Sequence, residues 1–250
     1  MSQFKSALVL KDRIFLPDYD SHDKMLQELG IEDNFTNASK VFVRVELSPT
    51  DENIFSAVDG WKLNVNQDIL PDWWNEAERL PQLKELVETW MRKHTIYAGE
   101  REVSDGVWLA TGSATVRAYN SATVKACGSA TVRAYNSATV KACDSATVTA
   151  YGSATVKACD SATVTAYGRA TVKACDSATV TAYGRATVKA YNSATVTAYN
   201  SATVTATGSA TVIIPKRFAT NGVIELNDDS VCINHKTHTI SSAIKWKQEE

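Results

Sequence analysis

Four cysteines, Cys127, Cys143, Cys159 and Cys175, recur every 16 residues, and Lys125, Lys141, Lys157, Lys173 and Lys189 keep the same interval two residues ahead of that column. A column of thiols could hold a soft metal or form disulfides. A column of ammonium groups repels itself and seeks counter-charge, as on a polyanion or nucleic acid. Arg169 and Arg185 add to the basic set. Four Thr-x-Thr pairs, Thr147/Thr149, Thr163/Thr165, Thr179/Thr181 and Thr195/Thr197, would set out two ranks of hydroxyls and methyls. Tyr119, Tyr135, Tyr151, Tyr167, Tyr183 and Tyr199 form a third series, half a period away from the cysteines, and are candidates for self-association.

Each series also has a plain structural explanation. Tyr191 and Thr207 continue the cysteine column, so cysteine reads there as a space-filling residue. Met1 to Lys11 lacks the long apolar run of a secretory leader, so a reducing, cytoplasmic setting and free thiols are expected. No metal and no cofactor is assigned. Threonine is a good exposed strand residue, and lysines blunt strand edges. The octads carry nine Lys/Arg against three Asp, Asp144, Asp160 and Asp176, a balance of +6. The whole chain stands at −2, so the remainder is about −8. Nucleic acid is therefore possible on the basic face but not favoured for the chain, and an acidic nucleic-acid mimic is excluded for the repeat.

Outside the repeat three clusters stand out. Cys232, His235 and His238 form a C-x2-H-x2-H triplet, short of a zinc finger and better read as a hairpin strand and turn. Asp18, Asp20, His22 and Asp23 precede a helix, where carboxylates complement the macrodipole; their alternative is a hydrolytic site. Trp73/Trp74 could dock a partner but reads better as part of a core. The sequence has no Gly-rich phosphate loop, nucleophile elbow or H-E-x-x-H.

The elements that must carry the columns follow from the repeat. From Ser113 the chain reads SATVRAYN, SATVKACG, SATVRAYN and so on, in twelve octads to Gly208 with a partial one to Val212. Ala, Val and Ala at positions 2, 4 and 6 alternate with polar residues at 1, 3 and 5, the pattern of a strand with one buried face. Gly, Asn or Asp at position 8 suits a turn with positive φ. Two unlike octads make one 16-residue coil, and stacking such coils in parallel gives a two-sided β-solenoid. An antiparallel meander would put like beside unlike and leave the 16-residue columns without a cause. About six coils at ~4.8 Å spacing make a rod of roughly 29 Å, with open strand edges that the flanks would cap.

The 250 residues are 44% apolar and 22% charged, too apolar for bulk disorder, and no stretch suits a transmembrane helix. The expected layout is mainly β: an α/β head at 1–98, the solenoid at 99–214 and a small β cap at 215–250. In the head, Ala7 to Leu16, Val41 to Leu47 and Trp61 to Val65 read as strands, 22 to 29 as a helix closed by Gly30, and a second helix starts near Pro81. Leu83, Leu86, Val87, Trp90 and Met91 share a face of that helix. Thr95 to Tyr97 and Val107 to Ala110 lead into the first coil, and Pro215 should end the ladder. Strands at Val223 to Leu226, Val231 to Ile233, Thr239 to Ile240 and Ile244 to Trp246 would build the cap.

The SATVxAY octads, together with VDGWKLNVNQDILPDWW in the head, resemble uncharacterised proteins of bacteria and their phages. That resemblance implies the architecture and carries no catalytic residue; a phage origin would imply a host-directed role. AYGSATVTAYG also resembles the Tyr-Gly-Ser-Thr-x-Thr-Ala repeat of ice nucleation proteins, although Ala146 is an extra residue between Ser145 and Thr147. The expectation is a non-enzymatic structural or interaction protein with a protein partner, possible homo-oligomerisation and no membrane association. Ice binding through the Thr-x-Thr array and polyanion binding through the basic face are the alternatives.

Overall fold

The computed structural model describes residues 4–216 and 222–242. The chain divides into two compact units, Met1–His94 and Thr95–Glu250.

In the first unit, strands β1 (Lys5–Leu10), β2 (Ile14–Phe15), β3 (Phe42–Ser48) and β4 (Lys62–Val65) form an antiparallel sheet in the order β2-β1-β3-β4. Helices α1 (His22–Leu29), α2 (Phe35–Ala38) and α3 (Glu76–Lys93) complete it. β1 is buried along its whole length, because its alternate side chains serve two cores. Ala7 and Val9 pack with Val43, Val45, Leu47, Leu83 and Val87, while Leu8 packs with Met25, Leu26 and Phe42.

Two boundaries in this unit differ from the sequence pattern. Ala7 to Leu16 is not one strand: exposed Lys11, Asp12 and Arg13 turn the chain, with the Leu10 N–H donating to the Arg13 carbonyl at 2.8 Å. The second helix starts at Glu76 rather than near Pro81. Asn75 caps it by accepting from the Glu78 N–H, and Pro81 sits inside. A proline in the second turn gives up a single hydrogen bond near an end where several N–H groups already lack helical partners. Helix α1 runs as expected, capped by Ser21 and closed by Gly30 at φ 66°.

The second unit is the solenoid. Strands β5 (Thr95–Ile96), β6 (Glu100–Val103) and β7 (Val107–Ala110) are followed by thirteen four-residue strands at intervals of eight, from β8 (Thr115–Ala118) to β20 (Thr211–Ile214). After them come β21 (Ile224–Leu226), β22 (Val231–Asn234) and β23 (Thr239–Ser242). Even-numbered strands pair in parallel with even, and odd with odd, in strict register; Thr147 lies on Thr163 and Lys141 on Lys157. Ala, Val and Ala of every octad face inward, with relative exposures of 0–1%. The position-8 residues of all twelve octads have positive φ, from 50° at Asn120 to 71° at Gly208. A hydrogen bond closes the turns from Tyr119 through Tyr199, as from the Ala154 N–H to the Tyr151 carbonyl at 3.2 Å.

The solenoid is longer than the octads. It has about eight turns of about 16 residues rather than six, because β5 to β7 and β21 to β22 continue the same two sheets. Pro215 ends β20 but not the ladder: β21 stacks on β19 and β22 on β20. The strands expected to form a separate cap at Val223 and Val231 are therefore further rungs. β23 then joins β22 antiparallel and covers that edge. The strand expected at Ile244 to Trp246 lies outside the described residues.

The first rungs are chemically different from the rest. Trp108 takes the inward column above which Val124 sits, and the Arg101 guanidinium lies 4.4 Å from its ring centroid. This pair closes the narrow Ala/Val core with one large ring and a cation, and the indole N–H donates to the Asp105 carbonyl at 2.8 Å. Glu100 and Glu102 point outward and hold Arg117 at 2.6 and 3.0 Å, which places charge on an exposed edge strand.

Candidate functional site

Each coil presents four columns rather than two faces. A Thr strand leads to a Tyr turn, a Lys strand and a Cys turn in sequence order, and strict stacking repeats each of them along the unit.

On the threonine sheet, Thr147, Thr163 and Thr179 are exposed, Thr149, Thr165 and Thr181 half-buried, and Thr195 and Thr197 both half-buried. They lie in register across β12, β14, β16 and β18. Arg117 and Arg133 take the second position in the first two strands of octads on this sheet, and Ile213 takes it in the last. The hydroxyl array is thus four rungs long.

At the tyrosine turn, all six rings of the series stack nearly parallel. Successive centroids lie 4.9, 5.0, 5.3, 5.0 and 4.6 Å apart, with interplanar angles of 7–11°. The backbone spacing imposes this repeat, and offset stacking of the rings adds to it. Burial, then the neighbouring Tyr199 and Tyr167, push the Tyr183 hydroxyl above its ordinary pKa. Arg169 and Arg185 belong to this turn, since they follow Tyr167–Gly168 and Tyr183–Gly184 directly; the lysine strand starts two residues later. The expected basic face is therefore divided between a strand and a turn.

On the lysine sheet, Lys141, Lys157, Lys173 and Lys189 are exposed and Lys125 is half-buried. The column passes to Thr205 on β19. Lys173 Nζ lies 5.0 Å from the centroid of Tyr191, the residue that replaces cysteine at the next turn.

The cysteine turn holds an arrangement that charge counting passes over. Asp144, Asp160 and Asp176 are not free surface charges, because each carboxylate accepts from the position-8 amide of the coil before it. Gly128 N donates to Asp144 Oδ2 at 2.9 Å, Asp144 N to Asp160 Oδ2 at 3.2 Å and Asp160 N to Asp176 Oδ2 at 3.5 Å. The thiols are paired rather than evenly spread. Cys143 Sγ donates to the Ala126 carbonyl at 3.4 Å and Cys175 Sγ to the Ala158 carbonyl at 3.3 Å. Cys127, Cys143 and Asp144 bring two sulfurs and a carboxylate oxygen within 4.8 Å of one another, and Cys159, Cys175 and Asp176 do the same. Burial first, then hydrogen bonding and repulsion with Cys127 and the charge of Asp144, push the Cys143 thiol up to about 12. Cys175 is raised to about 12 by burial and by Cys159 and Asp176. The five cysteines are free thiols.

The other candidates are kept apart by the fold. Cys232 is buried in the solenoid core in register with Val212, while His235 and His238 are exposed in the turn between β22 and β23. Asp20 Oδ1 pairs with buried Lys5 at 2.7 Å, His22 Nε2 lies 3.1 Å from the Val45 carbonyl, and Asp23 is in the first turn of α1. Asp18 bonds Lys93 at 2.7 Å and lies 3.6 Å from His94 Nε2. Burial works to raise Asp18, but Lys93, His94 and Lys5 hold its carboxyl below its ordinary value. These four side chains face different partners and do not converge on one point. Trp73 and Trp74 pack against the head core, and the Trp73 indole donates to the Lys40 carbonyl at 2.7 Å.

Among the described residues, no helix is long and apolar enough to cross a membrane. In comparisons with known proteins, the chain matches no family model, no curated protein and no solved structure.

Proposed function

We propose that this is a non-enzymatic structural and interaction protein whose solenoid displays a Thr/Tyr surface and a Lys/Arg surface to a protein partner. The observation that supports this reading is the strict register of each column, which sets identical groups at strand spacing on a support with a dry Ala/Val core. Such a support costs little backbone reorganisation on binding, since each strand is already held by its neighbours above and below. The tyrosine stack is the surface for pairing two copies.

The test replaces Lys141, Lys157 and Lys173 with Glu in one variant, and Tyr151 and Tyr167 with Ser in another. Partner capture from native lysate and light scattering over a concentration series are then compared with the unaltered chain. Loss of the partner in the first variant and loss of self-association in the second are expected. Identical capture and scattering in all three proteins reject both surfaces. Salt-sensitive retention on a polyanion column, lost in the lysine variant, favours the polyanion reading instead.

The four-rung Thr-x-Thr array supports ice binding as a second reading, because its hydroxyls and methyls repeat in two parallel ranks. It requires thermal hysteresis that Thr163→Lys with Thr179→Lys removes. Ordinary freezing of the unaltered protein ends that reading.

A further inference from the structure

We propose that the cysteine turn binds two thiophilic divalent cations of the zinc–cadmium class, one on Cys127, Cys143 and Asp144 and one on Cys159, Cys175 and Asp176. This goes beyond the display role and does not depend on it.

The geometry is close to what such an ion needs. Two sulfurs and one carboxylate oxygen lie within 4.8 Å of one another in each trio. Two metal–sulfur bonds of ~2.3 Å at a tetrahedral centre hold their sulfurs roughly 3.8 Å apart, inside the 4.8 Å that already encloses each trio. The cysteines are half-buried and the aspartates exposed, so the groups are held by the backbone yet open to solvent. Each ion displaces two thiol protons on binding, and water completes the fourth position. Asp144 accepts one amide hydrogen bond and Asp176 accepts one amide and one Asn192 side-chain bond, which leaves lone pairs on both carboxylates for a cation.

Filling the column does not require cysteine. Tyr191 and Thr207 fill the same column, so the fold accepts an aromatic ring and a β-branched hydroxyl side chain there. Positive φ alone does not require Asp either, although the amide ladder gives these carboxylates a second role. At position 8, Asp follows three of the four repeat cysteines, whereas Asn or Gly follows all seven tyrosines and Thr207, with the same positive φ. Within the octads, a carboxylate accompanies three of the four thiols and neither occurs at the other turn, while Asp228 makes the same amide contact without a thiol. The thiols are also grouped in twos with one carboxylate each, the stoichiometry of two separate ions.

The test is a cadmium titration of the reduced full-length chain under nitrogen, read by thiolate-to-cadmium absorption in the ultraviolet. Two equivalents per chain are expected. Cys143→Ser should lower this to one, and Cys143→Ser with Cys175→Ser should abolish it. Asp144→Asn with Asp176→Asn should weaken binding by roughly tenfold or more while keeping the absorption. Cys232→Ser should change nothing. Cys143→Thr with Cys175→Thr, which copies Thr207, repeats the loss in a side chain the column already accepts, and an unchanged circular dichroism spectrum confirms folding. No absorption in the folded, reduced chain overturns the proposal. So does absorption that survives the double variants, or a single equivalent removed by Cys232→Ser.

Discussion

The head and the solenoid solve the same problem, burying enough apolar surface, in opposite ways. The head uses a few large side chains, each in its own environment: Phe42, Leu47, Met25 and Leu83 are fully buried, and Lys5 is drawn inside against Asp20 and the Trp90 ring. The solenoid uses Ala and Val throughout, and no repeat residue in its core is larger than valine until its ends. In the head a contact is singular and its loss is not shared. In the solenoid every rung is like the next, so stability is close to a sum over neighbours. Small side chains also let the two sheets approach closely, which leaves little room for error in size.

The comparison is broken most severely by charge in the narrow core. Val164→Asp buries a carboxylate with no partner between two sheets, a cost of about 5 kcal/mol or more. Hydrogen exchange read segment by segment should show the central rungs opening while the strands of the head stay protected. The reverse experiment is Asp20→Ala. It leaves the Lys5 ammonium buried without its carboxylate and should cost the head about 3–5 kcal/mol, with the solenoid segments unchanged.

Smaller changes sharpen the contrast at turns. A Cβ at Gly112 would lie 2.6 Å from the Tyr97 carbonyl oxygen, so Gly112→Ala should cost about 1–3 kcal/mol in thermal unfolding of the full chain. At Gly128 the nearest atom to such a Cβ is 3.5 Å away, and Gly128→Asn should be close to neutral. The first turn of the stack is singular, as the head is; the second already belongs to the repeat.

The smallest predicted effect is pH dependence in the head. Burial lowers the His94 pKa from its ordinary 6.5, against the opposing pull of the Trp90 carbonyl and Asp18, while Lys93 and Lys5 add to the lowering. The unfolded chain therefore takes up this proton first as the pH falls. Head stability should decline below about pH 6.5 and level off once folded His94 titrates as well. His94→Gln should flatten that slope in denaturant midpoints measured between pH 7 and 5. A slope that persists in the variant assigns it to other groups.

The same contrast governs what could be read from residues alone. The solenoid was legible because each octad states its inward and outward positions repeatedly, and the 16-residue columns admit one stacking. Its true length was less legible, since the outer rungs carry Trp108, Arg101, Cys232 and Leu226 in place of Ala and Val. Glu100-x-Glu102 before Val103 is the strand signal that could have exposed β6. In the head, the start of α3 was hidden because Pro81 is a strong first-turn residue, and only Asn75 with Glu78 marks the earlier cap. The stacking of like residues into columns follows from their 16-residue spacing. The placement of Arg169 and Arg185 at the tyrosine turn, the pairing of the thiols and the carboxylate-to-amide ladder depend on side-chain geometry that spacing does not contain.

Every octad presents the same inward Ala, Val and Ala, so the core tells no copy from another, and only outward or turn residues such as Arg133, Tyr191 and Thr205 mark individual rungs. A coil that skipped a partner would still find Val on Val and Lys on Lys. Within the core, registration comes from the unique ends: the Trp108–Arg101 pair at the first rungs and the β22–β23 hairpin at the last. These few residues work as index marks on an otherwise uniform scale, and a change of length by whole 16-residue steps would leave them in place.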